Sequence, residues 1–208
     1  MRGILFIISA PSGTGKTTLV RTLCERSTNL FVSISHTTRR QRPDETDGQS
    51  YYFVDETAFQ EMIKSERFLE YATVFDHHYG TSRDWVEEQL NAGHDVILEI
   101  DWQGASQVRR AMPESVNIFI LPPSFKTLEQ RLLKRGEQEN TIKRRMRDAR
   151  IELSHYLEYD YIVINENLAQ ALVDLQTIIR ATRHQYTLQR GYYDKFVKTL
   201  MEQTGNIE

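Results

Sequence analysis

Residues 4–9, Ile-Leu-Phe-Ile-Ile-Ser, run directly into Ala10-Pro11-Ser12-Gly13-Thr14-Gly15-Lys16-Thr17-Thr18 and then into a segment of helical period, and no other stretch limits the fold as tightly. The apolar run is short, β-branched and without alternation, which reads as a strand covered on both faces. Gly13 and Gly15 let the following loop curl so that successive backbone N–H groups point inward. The helix N-terminus adds its partial positive charge, and Lys16 reaches outward to the far phosphates of a bound nucleotide. Residues Ser12 to Thr18 are therefore expected to hold ATP phosphates, with the Thr17 hydroxyl as a ligand of Mg²⁺. Ala10 stands where the motif has its first glycine, so an ordinary backbone conformation is expected there.

Further strands are expected at residues 30–35, 96–100, 116–121 and 161–164, separated by helical segments, an alternation that favours βαβ units and a parallel sheet of about five strands. Ligands bind such sheets at the carboxyl ends of the strands, where Glu99 and Asp101 close the 96–100 run. The chain has 208 residues, enough for one domain with subdomains. Hydrophobic residues at 39% and charged residues at 26% exclude disorder and low complexity, and a net charge of −3 gives no global field for nucleic acid. An anionic ligand must be held by a local cluster. Cys24 is the single cysteine, so no internal disulfide forms, which fits a reducing, cytoplasmic setting. Residues 4–8 are shorter than the roughly 7–15 residues of a signal-peptide core, and no apolar run reaches the roughly 18 that span a bilayer.

Between residues 35 and 93 the texture changes to turn formers at 42–48, short aromatic strands at 51–54 and 68–73, and a helix capped by Asp55, an inserted α+β subdomain. Residues 125–155 read as two helices joined by a polar connection at 135–140, with Ile142, Met146, Ala149 and Leu153 as an apolar stripe. That arrangement is a lid. Residues 1–34, 94–124 and 156–208 make up the core. Residues 168–204 are mostly helical, with a break expected at Gly191. Tyr192, Phe196 and Leu200 recur every four residues there, a face that packs on the core or mediates self-association into a homo-oligomer.

Ser33 to Pro43, then residues 47–53, 70–72, 79–81, 99–104, 122–124, 131–136 and 163–165, closely resemble guanylate kinases in order and spacing, over the chain to about residue 185. The resemblance implies an α/β P-loop NTPase core, a GMP-binding insertion and a helical lid, with Mg²⁺-dependent transfer from ATP to GMP and no nucleic-acid or membrane partner. It assigns Arg39, Arg42, Tyr51 and Tyr79 to the GMP phosphate, and Ser35, Glu70, Thr81 and Asp101 to the base. Guanine presents an O6 acceptor and N1–H and N2–H₂ donors, which hydroxyls and a carboxylate complement; adenine would set a lone pair against that carboxylate. Arg131, Arg135 and Arg145 join Lys16 and Arg39 as the implied catalytic cations, and Asn165 is placed on the adenine side.

A phosphate monoester has a second pKa of about 6, so the attacking oxygen needs no general base. Two other functions compete. Non-catalytic guanylate-kinase-like modules that bind phosphopeptides typically have degraded phosphate loops, whereas Gly13, Gly15, Lys16 and Thr17 are intact here. A kinase for another phosphate ester should lack the set Ser35, Glu70 and Thr81. Without the family register, residues 143–150 would be the solvated face of a helix, Tyr51 and Tyr52 would be ordinary sheet aromatics with only one able to face a ligand, and adjacent His77 and His78 would point apart.

Overall fold

A computed structural model describes residues 1–74, 76–134, 136 and 138–204. Five parallel strands form the main sheet in the order β2 (Leu30–Val32), β7 (Asp95–Leu98), β1 (Leu5–Ser9), β8 (Val116–Leu121) and β9 (Tyr161–Ile164). Every residue of β1 is buried, as expected for a central strand with helices on both faces. Its side chains alternate. Ile4, Phe6 and Ile8 pack with Leu19, Val20 and Leu23 of helix α1 (Lys16–Glu25) and with Leu172, Leu175 and Ile179 of α7 (Leu168–Thr182). Leu5 and Ile7 face the other layer, with Val86 and Leu90 of α3 (Arg83–Asn91) and Ala105 and Val108 of α4 (Trp102–Ala111). Ile7 is fully buried, so truncating it to Ala would cost about 2–5 kcal/mol.

A second, four-stranded sheet has the order β4 (Tyr52–Phe53), β3 (His36–Thr37), β6 (His77–Ser82), β5 (Phe68–Val74), with β5 and β6 antiparallel. Helix α2 (Glu56–Lys64) covers it and starts as expected, the Asp55 carboxylate accepting from the Ala58 N–H at 2.8 Å. Phe59 of α2 is buried against Phe68. The insertion boundary expected at residue 93 takes in α3, whose buried face belongs to the main core.

The segment expected to form a lid folds as α5 (Phe125–Lys134) and α6 (Glu139–Ser154). Leu128 and Leu132 of α5 lie on the phosphate loop, where a Cβ on Gly13 would come within 3.0 Å of Leu132 Cδ2.

Three local expectations change. The strand expected over 30–35 ends at Val32, although the Ser33 N–H still bonds the Ile97 carbonyl at 3.0 Å before the chain leaves for the second sheet. The strand expected over 96–100 runs Asp95–Leu98, releasing Glu99 and Asp101 toward the sheet edge. The break in α8 (Tyr186–Thr204) falls at Gln189, not Gly191, because Gln189 is buried and its side-chain amide donates to the Arg2 carbonyl at 3.2 Å, while Gly191 faces open space. Tyr192, Phe196 and Leu200 do not pack on the core; they are 43%, 52% and 46% exposed.

Candidate active site

The carboxyl edge of the main sheet, the second sheet and helix α6 enclose a cavity of about 320 Å³. Its floor is the phosphate loop. Gly13 and Gly15 adopt φ of +89° and +101°, the left-handed region that favours glycine, and Ala10 is not strained. Gly15 begins α1 without a side-chain cap, and no acidic residue lies in the first turn, so nothing there competes with an anion for the helix N-terminus. Ser12, Gly13, Gly15, Lys16 and Thr17 line the cavity; Thr14 is buried in the loop and Thr18 lies on the exposed side of α1.

The loop is braced from behind. Asn165, at the end of β9, is buried and donates through Nδ2 to the Thr14 carbonyl at 2.7 Å. Arg131 of α5 donates to the same carbonyl at 2.8 Å and to the Asn165 carbonyl at 3.2 Å. Neither residue is among those lining the cavity; both meet beneath the loop at the Thr14 carbonyl. A Cβ on Gly15 would sit 2.7 Å from the Asn165 amide nitrogen, which closes that position to any other residue. Arg145 of α6 does line the cavity and donates to the Ser12 hydroxyl. Arg135 lies outside the described residues.

The opposite wall carries the residues expected to bind the acceptor. Ser35, Arg39, Arg42, Tyr51, Glu70, Tyr79 and Asp101 all line the cavity. Tyr51 faces inward and lies edge-to-face on Tyr79 at 5.8 Å, whereas Tyr52 stacks on His36 on the other face of the sheet, the division that strand alternation requires. Arg39 makes a bidentate pair with Glu45, at 2.7 and 3.0 Å, and its guanidinium lies 5.3 Å from the Tyr51 ring centre. The Glu45 carboxylate holds the Arg39 charge firmly, and Arg39 in turn pulls the Glu45 carboxyl below its usual range. Glu45 also accepts from the Arg42 backbone N–H at 2.9 Å, so one carboxylate holds the Arg39 guanidinium and the backbone at Arg42.

Glu70 is 3% exposed, and burial pushes its carboxyl up to about 7, with Asp101 raising it further and the Thr81 hydroxyl opposing. That hydroxyl donates to Glu70 Oε1 at 2.6 Å. Thr81 is fully buried and its hydroxyl is engaged with Glu70 on this wall. Asp101 caps α4 through the Gly104 N–H at 2.9 Å while its side chain stays on the cavity wall.

Glu45, Glu99 and Glu152 all line the cavity. Glu45 and Glu152 escaped the sequence reading altogether. Glu152 lies seven residues after Arg145 on α6, two turns along the same face, a spacing that could have found it. Burial raises its carboxyl to about 7, and Lys16 opposes that rise. Glu99 accepts from the Thr17 hydroxyl at 3.1 Å. A hydroxyl and a carboxylate beside a phosphate loop are the hard oxygen donors Mg²⁺ takes, the rest of its shell coming from water and substrate phosphates. Among the described residues no cluster of three or more His, Cys, Asp or Glu forms a metal cage.

Comparison with known proteins adds the following. The family model described as guanylate kinase matches residues 2–182. The chain is 50% identical to a guanylate kinase of Coxiella burnetii over 95% of its own length and 97% of the relative, and 55% identical to one of Methylococcus capsulatus over 91% and 92%. It is also similar to the crystal structure of a guanylate kinase from Anaplasma phagocytophilum, with a TM-score of 0.76 and 34% identity over 88% of each chain.

Proposed function

The chain belongs to the guanylate kinase family, and from that premise we infer that it transfers the γ-phosphoryl group of ATP to GMP, giving ADP and GDP. The observation that carries the reading is the joining of two sets in one cavity: a phosphate loop with Lys16 on one wall, and Glu70 and Asp101 with Arg39 and Arg42 on the other. A phosphate loop alone fits any nucleotide hydrolase. A buried carboxylate facing N1–H and N2–H₂ fits guanine, and a mismatched buried polar group costs about 1–3 kcal/mol, so two mismatches disfavour AMP strongly.

The phosphate groups of donor and acceptor repel, and holding them in line is the larger part of the chemistry. Arg39 and Arg42 fix the acceptor phosphate, with the phenols of Tyr51 and Tyr79 as further donors. Lys16 lies against the donor's outer phosphates, and Arg145 enters from the lid; both stabilise charge on the transferring group. Arg131 acts at one remove, keeping the Thr14 carbonyl turned away from the phosphates. Arg135 completes the lid cations by family register. Mg²⁺, with Thr17 and Glu99 as its protein oxygens, would neutralise the donor phosphates. No residue is needed as a base, since the acceptor is a dianion at neutral pH.

Finer readings follow from the same premise. The division into core, acceptor-binding insertion and lid is supported by the two separate sheets and the paired helices α5 and α6. No helix among the described residues is long and apolar enough to cross a membrane. The cytoplasm suits Cys24, whose thiol burial pushes up to about 11. A homo-oligomer through α8 is supported by the exposed Tyr192, Phe196 and Leu200, an apolar row that a second copy would cover.

The test is ADP release with Mg-ATP and a panel of GMP, dGMP, AMP, CMP and UMP. Turnover of GMP and dGMP alone is expected; turnover of AMP without GMP would overturn the assignment.

A further inference from the structure

Strand β5 is an edge. β6 covers one side of it, and the other side faces helix α4 of the main core, where at Tyr71 one side chain takes both outward backbone groups. The Tyr71 N–H donates to Gln107 Oε1 at 3.2 Å, and Gln107 Nε2 donates to the Tyr71 carbonyl at 2.7 Å. A single amide thus stands in for a neighbouring strand. Tyr71 directly follows Glu70, the carboxylate of the base-reading wall.

The same face of α4 meets Glu70 itself. Gly104 lies three residues before Gln107, and a Cβ there would come within 2.4 Å of Glu70 Oε2. Asp101, three residues earlier again, caps the helix and lines the cavity. Asp101, Gly104 and Gln107 are spaced to share one helix face, so a single face supplies a wall residue, the shelf for a second and the clamp on its strand.

We propose that Gln107 is a positioning residue for base recognition: by bracketing the backbone of Tyr71 it holds β5 on α4 and fixes the Glu70 carboxylate beside Gly104 and Asp101. It touches neither substrate nor the reacting atoms. This rests on the reading of Glu70 as the guanine-binding carboxylate. The expected signature is selective, because β5 carries no donor-side residue: affinity for GMP suffers while the handling of ATP does not.

Steady-state kinetics of the full chain, with GMP and ATP varied in turn, test this in Gln107→Met and in Gln107→Met combined with Glu70→Gln. Loss of two neutral hydrogen bonds at an aligning contact should raise KM for GMP about 10-fold in Gln107→Met, with kcat and KM for ATP within about twofold. Hydrogen exchange at the Tyr71 amide should quicken in Gln107→Met. If Gln107 acts through Glu70, its replacement adds less than about twofold once Glu70 is already Gln. An unchanged KM for GMP in a variant whose Tyr71 amide exchanges faster, or full additivity in the double variant, would overturn the inference alone. Failure of the unaltered chain to phosphorylate GMP would instead overturn the functional reading, and the inference with it.

Discussion

The two walls of the cavity are built by different means. The donor wall is backbone: two left-handed glycines, a helix N-terminus and a carbonyl held from behind by Asn165 and Arg131. The acceptor wall is side chains held by other side chains, Arg39 by Glu45 and Glu70 by Thr81. Backbone geometry is close to all or none, since a Cβ at Gly15 meets both a forbidden φ and the Asn165 amide. Side-chain scaffolding is graded, because each support can be removed singly. Damage to the donor wall should therefore abolish turnover, and damage to the acceptor supports should erode selectivity for GMP.

The largest effect belongs to the donor wall. Lys16→Ala keeps both glycines, so the fold should persist while kcat falls by at least about 100-fold, the scale of losing one preorganised donor at developing charge. Near-normal turnover by the folded variant would break the distinction between the walls.

Glu45→Gln keeps size but loses the charge that aligns Arg39 and the Arg42 N–H. KM for GMP should rise about 10-fold with KM for ATP unchanged, the size of one weakened charge-assisted bond. Equal changes for both substrates would place Glu45 outside the acceptor wall.

A smaller effect separates the walls by pH. With the Glu70 carboxyl near 7, the form that accepts from guanine grows as pH rises, so GMP should bind about fourfold tighter at pH 8 than at pH 6.5, a slope that Glu70→Gln removes. Stability of the ligand-free chain should run the other way. Glu70 and Glu152 both hold protons above the unfolded value of 4.5, so the folded state binds more protons between about 4.5 and 7, and stability is lost as pH rises through that window. Thermal melts from pH 5 to 8 check the sign.

Ending the chain at Arg190 should leave kcat within about twofold, since α8 lines neither wall. Sedimentation of that shorter chain should show a lower mass if the exposed face of α8 joins two copies; an unchanged mass would remove that interface.

The same contrast explains what the sequence disclosed. The conformation of the loop between β1 and α1 was legible because it is written in backbone-permissive glycines at fixed spacing beside a strand. The five-stranded sheet was legible because β1, β7 and β8 are apolar runs. Supporting residues were not, since Glu45 and Gln107 have the polarity of any solvated turn or helix, and only the folded chain shows which backbone or guanidinium they meet. Nor does the sequence disclose that the Asn165 amide holds the Thr14 carbonyl, a contact across 151 residues that only the folded chain brings about. The kink in α8 was sought at the glycine, but burial of the Gln189 side chain against Arg2 decides its position.

Glu70→Gln is the most direct probe of the two-wall design. Calorimetric titration of the variant with GMP and, separately, with ATP should show GMP affinity reduced about 10- to 150-fold, the value of a lost charge-assisted pair, and ATP affinity unchanged. Equal losses for the two nucleotides, or no loss for GMP, would contradict a separate guanine-reading wall.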